Sequence, residues 1–240
     1  MPDPISRRSF CFTTTAALLG SAVATPTTPT TQVPTLLDHI LLGIDDLDRG
    51  IAYVEEKTGV RATFGGVHPG AGTQNALLSL GPNRYLEIIA PDPKQPASAD
   101  SRDLKSLDDE PALVGWAAHP GDIATLAARL KQHSIEIEGP MPGSRKRPDG
   151  RTLNWTVLRL KDEKTQLLPF FIEWSHDSIH PSVDSPQGCR LLRFEAITPD
   201  PVALSGTLNN LHLDLPLTQG KKMYLHAVID GPKGTLDVTS

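Results

Sequence analysis

Three polar side chains stand where apolar ones would be expected: His39 in LLDHILLGID (36–45), Glu87 in YLEIIAP (85–91) and Glu173 in PFFIEW (169–174). An unpaired carboxylate among large apolar residues is costly to bury and tends to protonate, so each glutamate calls for a metal or a basic partner. A lone imidazole in a leucine run is ordinarily a hydrogen-bonded core residue. One histidine and two carboxylates brought to a shared cleft can instead hold a divalent ion with open positions for water and substrate. The competing reading pairs the glutamates with arginines or turns them to solvent.

Other residues could line such a cleft. His68 lies in GGVHPGAGT (65–73), a Gly-rich loop without the Gly-Lys-Ser/Thr ending of a phosphate loop, which speaks against nucleotide binding. Gln74 and Asn75 follow, and either could donate to a substrate oxygen. Trp116 could stack on a ligand. GSRKRPDGR (143–151) gathers Arg145, Arg147 and Arg151 with Lys146. A loop arginine there could clamp a carboxylate or phosphate, the alternative being a solvated charge run. Without interleaved aromatics these charges do not make a nucleic-acid site. His176 and His180 read as a surface turn. There is no Gly-x-Ser-x-Gly element, and a cysteine without a placed partner gives no nucleophile.

The elements that would position these residues repeat. LLDHILLGI (36–44) reads as a strand. DDLDRGIAYVEEKTGV (45–60) reads as a helix capped by Asp45 or Asp46, with Leu47, Ile51 and Val54 on its apolar stripe and Gly59 as its stop. TQNALLSL (73–80) and YLEIIAP follow as strands. The order recurs in ALVGWAAHP (112–120), a helix over GDIATLAARLKQHSI (121–135) capped by Asp122, then LNWTVLRL (153–160) and LLPFFIEW (167–174). A partial third unit begins at LLRFEAITP (191–199), with Asp200-Pro201 starting a helix and two closing strands in KMYLHAVID and GTLDVT.

The N-terminus reads differently. Ser6, Arg7, Arg8 and Phe10 resemble a twin-arginine export signal, and the apolar TTTAALLGSAVA (13–24) is too short to span a membrane. Cleavage is expected after Ala24, and residues 25–35 form a Pro/Thr-rich linker. Removing 1–24 takes the net charge from −5 to −6. An acidic chain lacks the overall positive charge that phosphate backbones favour. Cys189 would be left alone, with no internal disulfide.

In order, LDHILLGIDDLDRGIAYVEEKTGV, HPGAGTQNALLSLG, YLEIIAPD, RKRPDG and PFFIEW resemble a glyoxalase-like domain of the vicinal oxygen chelate superfamily. The resemblance implies an α+β fold of duplicated βαβββ modules, their curved sheets forming a cleft. Module one would cover 36–92, module two 111–181 and a C-terminal partial unit 190–240. It further implies a divalent metal ion held by His39, Glu87 and Glu173, with Glu173 also acting as a proton-transfer base. The fourth ligand position falls near Gly115 or Trp116, neither of which can ligate, so a member that has lost its metal is the alternative.

The expected function is an exported, periplasmic or secreted, metal-dependent lyase, isomerase or dioxygenase acting on a small oxygenated metabolite. The alternative is a metal-free small-molecule sequestering protein. Expected partners are that small molecule and the export machinery, with a homodimer allowed. No nucleic acid is expected, and no membrane for the mature form.

Overall fold

The computed structural model describes residues 32–107, 110–161 and 165–240. The proposed signal and residues 25–31 of the linker lie outside these residues. In chain order the elements are β1 (Leu37–Gly43), α1 (Leu47–Thr58), β2 (Thr63–His68), β3 (Thr73–Ser79), β4 (Tyr85–Pro91), α2 (Ala99–Lys105), β5 (Ala112–Ala118), α3 (Ile123–Gln132) and β6 (Ile137–Lys146). They continue with β7 (Thr152–Leu160), β8 (Phe170–Trp174), α4 (Pro181–Asp184), β9 (Arg190–Thr198), α5 (Pro201–Leu211), β10 (Leu217–Gln219), β11 (Tyr224–Asp230) and β12 (Thr235–Thr239).

The caps act as the sequence predicts. Asp46, Asp122 and Asp200 each accept a backbone N–H three residues on, from Arg49, Thr125 and Ala203. Gly59 ends α1 in the left-handed region at φ 80°. Two strands lie where loops were expected. The Gly-rich segment supplies β2, and the start of the basic segment supplies the end of β6. Neither has the apolar alternation that marks a half-buried strand, because both pair at the ends of the sheet.

The two units join in one eight-stranded sheet, in the order β2-β3-β4-β1-β5-β8-β7-β6. β1 runs parallel to β4, β5 runs parallel to β8, and β1 meets β5 antiparallel at the centre. The sheet curls until its end strands approach. A Cβ on Gly66, whose φ is +139°, would lie 2.8 Å from the carbonyl oxygen of Lys146 on β6. Such contact leaves room only for glycine.

The convex face carries the main core. Ile40 and Leu42 of β1, Ile88 of β4, Ile51 and Val54 of α1 and Leu126 of α3 are all buried there. The third unit does not repeat the module. It forms a separate sheet, β10-β9-β11-β12, whose Phe194 packs edge-on against Trp116 at 5.5 Å between ring centroids. Trp116 is therefore core, its indole N–H donating to the Leu167 carbonyl at 2.9 Å. It does not reach the cleft as a ligand-stacking residue.

Candidate functional site

The concave face encloses a cavity of about 890 Å³. Side chains alternate across a strand, so β1 sends His39 and Leu41 inward while β4 sends Tyr85, Glu87 and Ile89. His39 and Glu87 are both buried, at 2% and 6% exposure, and Nε2 of the ring lies 3.4 Å from Oε2 of the carboxylate. Tyr85 stacks on His39 with ring centroids 4.5 Å apart. Burial, reinforced by the charges of Glu87 and Asp38, pushes the Tyr85 phenol well above its ordinary range, which keeps it protonated.

A buried polar network surrounds Glu87. The Asn75 amide donates to Oε1 at 2.7 Å. Arg145 on β6 donates to the Asn75 carbonyl oxygen. It can reach that far because Gly65 on β2 has no side chain to block the guanidinium. His68 lies 3.5 Å from Oε1 through Nε2, while its Nδ1 is 2.9 Å from Thr73 Oγ1. Burial lowers the His68 pKa and outweighs the opposing pull of Glu87. A neutral ring donating from Nδ1 to Thr73 leaves Nε2 free to accept from Asn75, 3.3 Å away. Burial alone would raise the Glu87 pKa. Set against it are the pull of His68 and His39 when protonated, the Asn75 hydrogen bond and Arg145, which together bring it below its ordinary value, so the group is a carboxylate.

Behind His39 stands Asp38, which the sequence reading did not single out. Its Oδ1 lies 2.7 Å from His39 Nδ1, and its Oδ2 is 3.1 Å both from His180 Nε2 and from the Trp174 indole nitrogen. Burial opposes ionisation here too, but the hydrogen bonds and charges of the two histidines overcome it and hold the carboxyl well below the usual range. An irregularity in the β1–β5 register falls at Asp38, between Leu37 and His39. A bulge of this kind re-aims side chains. His180, expected on a surface turn, is thus a half-buried partner of the site. The usable signal was the adjacency of Asp38 and His39.

The structure does not bring Glu173 to this network. In the parallel pairs, His39 lies beside Tyr85 and Ala117 lies beside Phe170. Two residues on, Glu87 corresponds to Ile172. Module two therefore places Ala117 and Ile172 where module one places His39 and Glu87. Glu173 is one residue out of phase and faces the convex side, where its Oε2 accepts the Ile123 N–H of α3 at 2.9 Å. A one-residue offset in a strand changes the face. The fourth position falls on Ala117 rather than on Gly115 or Trp116.

The remaining candidates divide. Asn75, His68 and Arg145 line the cavity. Gln74 points away, donating to the Pro91 carbonyl at 3.1 Å. Arg147 and Arg151 form a surface ion cluster with Asp184, at 2.8 and 2.7 Å, to which Asp149 also contributes.

A divalent metal does not fit these donors. Module two offers a methyl group and an isoleucine at its two ligand positions. Both oxygens of Glu87 already face Asn75, His68 and His39, with the Arg145 guanidinium close behind. Among the described residues, no group of three or more His, Cys, Asp or Glu side chains is placed to hold a metal ion.

Residues 37–212 match the family model described as glyoxalase-like domain. The chain belongs to the glyoxalase-like domain family. That places it in the vicinal oxygen chelate superfamily. Among solved structures, a hypothetical protein from Staphylococcus aureus is similar with a TM-score of 0.58 at 17% identity, covering 85% of this chain and 84% of its own. Methylmalonyl-CoA epimerase from Mycobacterium tuberculosis is similar with a TM-score of 0.44 at 18% identity, covering 60% and 90%. A hypothetical protein from Bacillus halodurans gives 0.43 at 15%, covering 60% and 96%. The first similarity extends the shared fold over most of this glyoxalase-like chain. No curated protein matches the sequence.

Proposed function

We propose that this glyoxalase-like protein is a small-molecule enzyme that moves a proton on an oxygenated substrate, as an isomerase or lyase, without a divalent metal. One observation carries the reading: Nε2 of His39 and the carboxylate of Glu87 lie together at the floor of a large cavity, with Asp38 bonded to the far side of the imidazole. Asp38 holds His39 with Nδ1 turned away, which directs Nε2 at the cavity. That nitrogen and the Glu87 carboxylate can pass a proton to or from a bound carbon or oxygen. Arg145 and Asn75 keep the Glu87 charge in place without neutralising it.

A metal-free binding protein is the second reading. It is favoured by the downward shift of Glu87, which makes the carboxylate a weaker base. Hydrogen–deuterium exchange separates the two. A panel of 2-oxo and 2-hydroxy acids is incubated in D2O with the wild type, Glu87→Gln and His39→Asn, and followed by proton NMR. An enzyme exchanges the substrate proton, and each variant loses a factor of at least ~100 while still binding. Binding without exchange in the wild type would establish the second reading, and neither binding nor exchange would reject both for these acids.

Export to the periplasm or beyond, by residues 1–24, is proposed on the sequence alone. Homodimer formation is left as a proposal of the same standing.

A further inference from the structure

The cavity has two unlike walls. Module one and Arg145 supply the polar network. Module two supplies Trp155, Phe170, Trp174, Val157 and Ile172, a continuous aromatic and aliphatic surface. Trp155 and Trp174 pack with centroids 5.6 Å apart. Phe170 meets His39 edge-on at 5.5 Å.

A guanidinium stands at the end of this wall. Arg159 lines the cavity from β7, with its Cζ 5.6 Å from the Phe170 ring centre. No ion pair joins it to a carboxylate among the described residues, and Glu138, its cross-strand neighbour on β6, is no exception. Arg145 is committed to Asn75 and the Glu87 charge, whereas Arg159 is free to take an incoming anion. Arg159 and His39 both contact the Phe170 ring, at 5.6 and 5.5 Å from its centre, so all three fall within the length of one small molecule. A volume of about 890 Å³ is far more than a three-carbon compound fills, and it suits a ligand with a ring.

We infer that the cleft takes an aromatic carboxylate, with its acid on Arg159, its ring on Trp155 and Phe170, and its far end at His39 and Glu87. Charge-assisted pairing to a guanidinium supplies orientation, and the aromatic wall supplies apolar contact. The inference rests on the reading of this cleft as the reacting site.

The test uses three probes by calorimetry: 3-phenylpropionate, its amide, and 3-cyclohexylpropionate. The expected order on wild type is the aromatic acid first, with the amide at least ~10-fold weaker, as loss of a charged hydrogen bond implies. The cyclohexyl acid should also be weaker. Arg159→Gln, at an exposed position, should weaken the aromatic acid at least ~10-fold and leave the amide unchanged. Arg159→Lys should restore part of the loss. Trp155→Leu should weaken the acid and the amide alike.

Equal binding of acid and amide, no effect of Arg159→Gln, or no binding of the acid overturns the inference. Equal binding of the cyclohexyl acid overturns its aromatic part. The outcome is separable from the catalytic proposal. Arg159-dependent binding with no proton exchange would leave this inference standing and remove the enzyme reading. Exchange on other acids without aromatic preference would do the reverse.

Discussion

Oδ1 of Asp38 lies 2.7 Å from Nδ1 of His39, so neighbouring residues in one strand make the contact that orients the cavity-facing imidazole. Asp38→Asn keeps the shape and removes the charge. The expected outcome is a stability loss of about 1–3 kcal/mol, with ligand affinity nearly retained and proton exchange reduced. Urea melts and D2O exchange on the same samples check this.

Two buried carboxylates, Asp38 and Glu87, set an acid limit. Asp38 and Glu87 both titrate below their ordinary values in the folded protein. Groups with depressed folded values bind more protons when unfolded, so stability rises with pH through that range. Their contribution is present above the unfolded values, about 4, and is lost as pH falls through the folded ones. Wild-type stability should therefore decline below about pH 4, and Asp38→Asn or Glu87→Gln should flatten the decline. Denaturant midpoints measured from pH 3 to 7 would show it, and parallel slopes would contradict it.

Arg145→Met should leave the Glu87 network short of its fixed cation. Arg145 reaches Glu87 through Asn75, so the change removes a charged donor from the buried Asn75 oxygen; this costs about 1.5–3 kcal/mol, a fall in Tm on the order of 5 °C for a chain of this size. Adding Glu87→Gln should recover part of that loss. A double variant no more stable than Arg145→Met would mean that the two groups are uncoupled.

Gly65→Ala should act on the site through Arg145, because the new methyl would meet both the guanidinium and the Asn75 carbonyl oxygen. Gly206→Ala, in α5 with open space around it, should stabilise the protein by about 0.5–1 kcal/mol. Equal effects from the two changes would show that the close approach on β2 is not constraining.

Glu173→Gln should leave substrate binding and proton exchange unchanged and weaken only the start of α3, by about 1 kcal/mol. Purified protein should hold no stoichiometric divalent ion, and chelator should not lower its Tm. Metal analysis with thermal melts in EDTA checks both points.

Much of the fold was legible in the chain. The strand, helix, strand, strand order appears twice, its helix caps are the aspartates that the spacing picks out, and the motif order identifies the glyoxalase-like family. His39, Glu87, Asn75 and His68 were recognisable as candidates because polar side chains stand out in apolar or Gly-rich surroundings, and Arg145 because it belongs to a basic cluster in an acidic chain. β2 and β6 were not recognisable. They are end strands rich in Gly and Pro, and their pairing depends on the curl of the whole sheet.

Sequence by itself determined the duplication, and with it the residues that sit on strands. Tertiary structure decided which face each of those residues reached. Glu87 and Glu173 look equivalent, each one glutamate in an apolar strand, yet strand pairing sets Glu87 beside Ile172 in the repeat and turns Glu173 to the helices. The reason is the two-residue period of a strand, in which a single step of register reverses every side chain. The same dependence on register and curl brought Arg145 across to Asn75, buried Trp116 against the second sheet, and put Asp38 behind His39.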